Sequence, residues 1–318
     1  LYLGASQWQA RVTRPPAPQR PDFGYGANIA DLKNAPRLRE MGFQWMKGFV
    51  GWDSLEPKPG EFDWTDLSKA TVAARDNRLG LVLRIDRVPG WARPDNHNPT
   101  APPSRSFLGA WGSFLNELAR RGKGRVTAYE IWNEPNLAWE WGGQPPDPGY
   151  YVEMLQAAYL GIKSADPDAL VISAGLAPTT GDGGKQAMDN LRYLRMMYRA
   201  GAGAYFEILG SHPYGFASPP QADPRVMASF RSAELEREVM MEFGDGAKSV
   251  WATETGWLLD PGAAGLGVCR QSPDMRETLW QAVDQETQAR YLVEAYRYSY
   301  ENWPWMGAIF LFNLDFSL

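Results

Sequence analysis

Two glutamates carry the strongest chemical signal in the chain. Glu134 stands in the string YEIWNEPN (129–136), and Glu254 in WATETGW (251–257). Two carboxylates flanking one glycosidic bond can share its cleavage: one protonates the leaving oxygen, and the other attacks carbon or activates water. A carboxylate that accepts hydrogen bonds stays ionised, which suits attack. A second carboxyl placed near that charge and partly enclosed by Trp132 is expected to arrive protonated. Asn133, beside Glu134, and His212 and Tyr214, in the string SHPYG (211–215), add polar groups that would line such a site.

These residues need a frame that brings distant segments together. Short β-rich runs are predicted at Phe23–Ile29, Trp45–Trp52, Leu79–Ile85, Val126–Trp132, Ala169–Ala174, Phe206–His212, Ser249–Thr253 and Met306–Phe312. Helical windows lie between them. Leu108, Trp111, Leu115 and Leu118 form one apolar stripe, and Val152, Leu155, Tyr159 and Ile162 another, with a third window at Ala289, Leu292, Val293 and Tyr296. Gly42, Gly80 and Gly122 read as helix stops before the next strand. Eight strands with intervening helices predict an α/β fold, a closed (β/α)8 TIM barrel. Active sites of such barrels form at the C-terminal strand ends. Asn133 and Glu134 then sit at the mouth of strand four, His212 and Tyr214 at strand six, and Glu254 at strand seven. Six residues follow the eighth strand, too few for a closing helix.

Composition narrows the field. Of 318 residues, 44% are hydrophobic and 22% charged, the balance of a globular chain. A formal net charge of −5 disfavours a nucleic-acid partner. The longest apolar run, Met306–Leu314, is far short of a membrane span. One cysteine, Cys269, and two histidines, His97 and His212, offer no usual metal-ligand spacing, so neither a metal nor an organic cofactor is implied. Tryptophan is abundant, at 14 residues, and indole faces stack well on sugar rings, so a carbohydrate ligand enters as a candidate. Leu1–Pro21 lacks the apolar run of a leader. Its end, RPPAPQRP (14–21), reads as an extended segment or linker ahead of a catalytic barrel spanning 22–318.

The strand-four string resembles the acid/base motif of the clan A glycoside hydrolases, retaining barrel enzymes with glutamates on strands four and seven. Together with WDSLEPKPGEFDW (52–64), it is most similar to glycoside hydrolase family 39, the β-xylosidase group, over about Phe23–Phe316. The resemblance implies Glu134 as general acid/base and Glu254 as nucleophile. It further implies Asn133 as the holder of a sugar 2-hydroxyl, and His212 and Tyr214 as the strand-six pair lining the sugar site. The ETGW string at the nucleophile is closer to families 5 and 17, and strand eight offers Phe310 and Phe312 where the clan commonly has a tryptophan platform.

Other residues are weighed against plainer roles. Lys47 and Arg84 point from predicted strands, where salt-bridge scaffolding with a buried carboxylate is the expected part. Trp91, Trp139, Trp141 and Trp257 are either sugar platforms or loop packing. Loops Val88–Ser104, Leu137–Gly149 and Trp257–Met275 are expected to wall a cleft. The resulting expectation is a retaining β-glycoside hydrolase acting on an oligo- or polysaccharide, endo-acting and located outside the cell or in its envelope. An exo-acting β-xylosidase-like enzyme is the alternative. A barrel that binds carbohydrate without catalysis is the reading from another class, but it would lack one of the two carboxylates.

Overall fold

The computed structural model describes residues 23–94, 98–262, 265, 271 and 273–314. The linker expected at 1–21, together with His97 and Cys269, lies outside the described residues. Eight parallel strands close into a barrel: β1 (Gly24–Asn28), β2 (Trp45–Gly51), β3 (Gly80–Asp86), β4 (Ala128–Ile131), β5 (Leu170–Ser173), β6 (Ile208–Ser211), β7 (Ser249–Thr255) and β8 (Met306–Leu311). Each strand pairs with its sequence neighbours, and β8 closes the ring on β1, with Gly24 opposite Ala308 and Gly26 opposite Phe310. This is the expected (β/α)8 barrel. Strand β7 runs two residues further than its apolar pattern suggests, so Glu254 lies within the strand itself.

The helices that connect these strands include α1 (Ala35–Glu40), α2 (Thr65–Asp76), α3 (Leu108–Gly122), α4 (Pro148–Ala165), α5 (Asn190–Arg199), α6 (Ser232–Glu242) and α7 (Gln285–Asn302). Three start with an aspartate that satisfies a free backbone N–H: Asp147 accepts from Tyr150, Asp189 from Arg192 and Asp284 from Thr287. Helices α3 and α4 bury their stripes as expected, with Trp111, Leu115, Leu118, Val152, Leu155 and Ile162 in the core. Helix α7 departs from expectation. Ala289 and Val293 face outward, and the inward face carries Leu292, Ala295, Tyr296 and Ser299.

Apolar side chains fill the barrel. Val82, Ala128, Ile172, Ile208, Ala308 and Phe310 form an inner cluster closed at its base by Trp45 and Trp251, whose rings pack edge to face at 5.1 Å. That base explains Gly80. It is a strand residue rather than a helix stop, because a Cβ there would stand 2.4 Å from the Trp45 ring. Gly42, just after α1, does take the left-handed conformation, with φ +84°. The tryptophan abundance is spent mostly on packing: Trp52, Trp111, Trp132, Trp141, Trp251, Trp257 and Trp303 are all buried.

Candidate active site

The C-terminal mouth of the barrel holds a cavity of about 410 Å3 lined by Phe49, Arg84, Asn133, Glu134, Glu140, Tyr214, Glu254 and Phe312. A larger hollow of about 710 Å3 opens at the opposite end, beside Trp45 and Trp251, and holds none of the residues with candidate chemistry.

Backbone strain places Glu134. Trp132 and Glu134 both adopt positive φ, +80° and +38°, which side-chain-bearing residues rarely do. Three anchors hold the turn: Trp132 N–H donates to the Ile85 carbonyl (2.9 Å), Glu134 N–H to Gly175 (3.1 Å), and the Trp132 indole to the Glu140 carbonyl (2.8 Å). Gly175 serves a second purpose. A Cβ at that position would stand 2.1 Å from the His212 ring, so the imidazole packs flat on bare backbone.

His212 joins the two candidate carboxylates. Its Nδ1 lies 2.9 Å from Glu134 Oε1, a hydrogen bond, and 3.8 Å from Glu254 Oε2, an electrostatic contact. Its Nε2 is 3.7 Å from Glu130 Oε1, an electrostatic contact rather than a hydrogen bond. Burial works to lower the His212 pKa, but Glu254, Glu130 and Glu134 outweigh it and push the imidazole up to about 10. The surrounding carboxylates thus favour the charged imidazole, whose Nδ1 is hydrogen-bonded to Glu134 Oε1.

Glu254 is held as an anion. Tyr214 OH donates to its Oε2 (2.9 Å), Arg84 Nη1 to its Oε1 (3.0 Å), and Lys47 Nζ stands 3.5 Å away. Burial alone would raise its pKa, yet His212, Lys47 and Arg84 together hold it below the ordinary carboxylate range. Burial and the adjacent Glu254 drive Tyr214 well above the usual phenol value, so it remains a donor.

The scaffolding expected of Lys47 and Arg84 is present, with one partner absent from the sequence reading. Lys47 Nζ pairs with Glu130 Oε2 at 2.5 Å, both side chains being fully buried, and Thr253 Oγ1 donates to the other oxygen of Glu130 at 2.6 Å. Burial opposes ionisation of Glu130, but Lys47 and His212 prevail and keep it well below the usual range. Arg84 bridges Asp86, Asn133 and Glu254 and lies over the Phe49 ring at 4.3 Å. The alternation of β4 could have exposed Glu130: Ala128 lines the barrel interior, and residue 130 points the same way.

Asn133, His212 and Tyr214 thus gather around Glu134 and Glu254. The tryptophans do not. Trp141 is 2% exposed, packed edge-on against Trp132, and Trp257 is 4% exposed between Phe230 and Tyr291. Neither has a free face, which corrects their assignment as platforms. Trp91 is half-buried against Trp52 and Phe107, its indole bonded to the Glu56 carbonyl, so it too packs its loop. Of these four, Trp139 alone is open, at 58% exposure. The sequence reading missed a second open indole, Trp280. It is 65% exposed and stacked on Phe216, in the segments that follow β7 and β6. Phe312 reaches the cavity from the end of β8, edge-on to Tyr214, whereas Phe310 belongs to the barrel interior.

A buried carboxyl is bonded to Ser211, the residue before His212. Ser211 Oγ donates to Glu236 of α6, whose other oxygen accepts from Asn190 Nδ2 (3.1 Å). Burial outweighs these bonds and the nearby His212 charge, pushing Glu236 from 4.5 up to about 7. The raised folded value means that the unfolded chain ionises first. Stability is therefore present below pH 4.5 and is lost as pH climbs through 7. Glu236→Gln, which cannot ionise, should be more stable than the parent at pH 8 by about 1–3 kcal/mol and near parity at pH 4.5. Urea denaturation at both pH values checks this; an equal effect at each would rule out the ionisation account.

Solved structures that the chain resembles include glycoside hydrolases. A family 39 glycoside hydrolase from the gut symbiont Bacteroides cellulosilyticus WH2 superposes with a TM-score of 0.66 at 20% identity, covering 92% of this chain and 56% of that one. A glucosidase from Croceicoccus marinus gives a TM-score of 0.63 at 15% identity, covering 95% of this chain and 61% of that one. The fold is the barrel of these glycoside hydrolases. Among curated proteins, endo-1,4-beta-xylanase C of Paenibacillus barcinonensis is 22% identical over 146 residues, 39% of this chain and 13% of the xylanase. The chain thus corresponds to a small part of that relative and to little over half of the family 39 structure. No protein-family profile matches it.

Proposed function

We propose that this chain is a retaining β-glycoside hydrolase that cleaves an oligo- or polysaccharide by double displacement. The observation that carries the reading is the single His212 nitrogen within 2.9 Å of Glu134 and 3.8 Å of Glu254. Those two distances hold the facing oxygens to at most about 6.7 Å, which admits the ~5–5.5 Å spacing of carboxyls that attack directly. An inverting pair stands ~6.5–9.5 Å apart to admit a water. Glu254, kept ionised by Arg84, Lys47 and His212, attacks the anomeric carbon while Glu134 gives its proton to the leaving oxygen. Glu134 then takes a proton from the water that cleaves the glycosyl–Glu254 ester, restoring both carboxyls. Asn133, at the same cavity edge, is placed to hold a sugar hydroxyl. The chemistry proceeds through the carboxyls alone, without a metal or organic cofactor.

The open indoles support a polymeric substrate. Trp139 follows β4, and the Trp280–Phe216 stack follows β7 and β6, so the two aromatic surfaces rise from different strand ends of the barrel. A chain continuing past the cleaved unit in both directions would use both, which favours endo action. A polymer too large to cross a membrane places the enzyme outside the cell or in its envelope. No helix among the described residues is long and apolar enough to span a membrane.

A panel of aryl glycosides and soluble polysaccharides, with the first-formed anomer read by proton NMR, tests the proposal. Retained configuration is expected, with mixed oligosaccharides released early from the polymer. Inverted product would remove the double displacement. Monosaccharide alone from the first minutes would mean an exo-acting pocket.

A further inference from the structure

Strand alternation does not by itself bring Glu254 into the cavity. Trp251 belongs to the barrel interior, and Thr253 reaches the buried Glu130, so a regular β7 would send residue 254 outward. An irregularity in the ladder with β8 changes that. Ala252 stands opposite Ile309 and Thr255 opposite Leu311, so two residues of β7, Thr253 and Glu254, face one of β8, Phe310. A bulge of this kind bends its strand and re-aims the side chains on it. We propose that Asn28, at the end of β1, is a positioning residue for Glu254, its amide clamping the bulge that turns this carboxylate into the cavity. The inference rests on the role given to Glu254 above.

Asn28 is fully buried and spans two strands. Its Nδ2 donates to the Thr253 carbonyl on β7 (3.1 Å) and to the Leu311 carbonyl on β8 (3.2 Å). A carbonyl only accepts, so the amide has one workable orientation, with its nitrogen toward both strands. The first carbonyl belongs to the residue before Glu254, and the second to the residue before Phe312, which also lines the cavity. Lys47, the register partner of Asn28 on β2, places Nζ 3.2 Å from the same Thr253 carbonyl. Its ammonium is also paired with Glu130 and Glu254, all three on the β7 and β4 side, whereas Asn28 ties β7 to β8 across the bulge.

The position so fixed is what the chemistry needs. From it, Glu254 accepts from Tyr214 at 2.9 Å and from Arg84 at 3.0 Å. An attacking oxygen displaced by about 1 Å can lose about 10^2-fold in rate.

The test compares Asn28→Ala and Asn28→Asp with the parent. Asn28→Asp keeps the volume, but its ionised carboxylate can donate to neither carbonyl; it carries the test should Asn28→Ala not fold. Rates are taken per folded molecule, from circular dichroism at the assay temperature, on phenyl and 2,4-dinitrophenyl glycosides of the sugar that the substrate panel selects. Both variants should lose about 10–100-fold in kcat/KM, by the same factor on the two substrates, because attack is impaired and proton donation is not. Crystal structures supply a substrate-free reading. In each variant the Thr253 carbonyl should turn and Glu254 should move beyond about 3.5 Å from Tyr214 or Arg84. Parent rates per folded molecule, a loss confined to the phenyl substrate, or a Glu254 carboxylate still bonded to both partners overturns the proposal. The crystal structures answer whether or not the chain proves to be a glycosidase, so the two failures are distinguishable.

Discussion

Glu254→Gln should lose at least about 10^4-fold in turnover on every glycoside, because an amide cannot form the glycosyl ester. Glu134→Ala should behave differently. On substrates with poor leaving groups it should lose about 10^2–10^4-fold, the usual contribution of a general acid, and on dinitrophenyl glycosides cleavage of the first bond should survive. The ester would then accumulate, since the base that activates water is gone. A small anion such as azide, entering the space left by the side chain, should restore turnover and yield a glycosyl azide of retained configuration. Azide rescue of Glu254→Gln, or a Glu134→Ala loss that ignores the leaving group, would reverse or dismiss the two roles. Both variants should fold, because Lys47 keeps Glu130 and His212 keeps its contacts with the remaining carboxylates.

Lys47→Met should carry the largest stability loss, about 3–5 kcal/mol, the typical cost of leaving one partner of a buried ion pair uncompensated. Lys47 and Glu130 are both 0% exposed and sit at the centre of the network under the cavity. In the parent, Glu130 has a depressed folded value, so its contribution is present above pH 4.5 and lost as pH falls. In the variant, burial without the ammonium favours the protonated acid. The destabilisation should therefore be greatest above neutrality and shrink toward pH 4.5. The double variant Lys47→Met/Glu130→Gln should recover most of the loss, because no unpaired charge remains. Thermal denaturation at pH 5 and pH 8 checks the sign. A double variant as unstable as the single one would show that pairing with Glu130 is not what Lys47 supplies.

The sequence by itself determined the barrel and the two carboxylates that give it its proposed chemistry. Strand and helix are local matters of side-chain period, and each of the eight runs from Phe23 to Phe312 overlaps a barrel strand. Glu134 and Glu254 were legible because each sits in a distinctive string at a strand end, and strand ends of one parallel barrel share a face. Tertiary structure alone decided which tryptophans are covered, since burial depends on what remote segments bring against a ring. Trp257 is enclosed by Phe230 and Tyr291, and Trp141 by Trp132, Tyr150 and Tyr151, none of which its own neighbourhood foretells. The same holds for charge. Glu130 becomes the partner of Lys47 only where β2 and β4, on either side of β3, point side chains into one barrel interior, and Glu140 lines the cavity beside Glu134 only through the curl of one loop. Period and motif are written along the chain. Burial and ion pairing are properties of the space between segments, and the closed barrel creates that space.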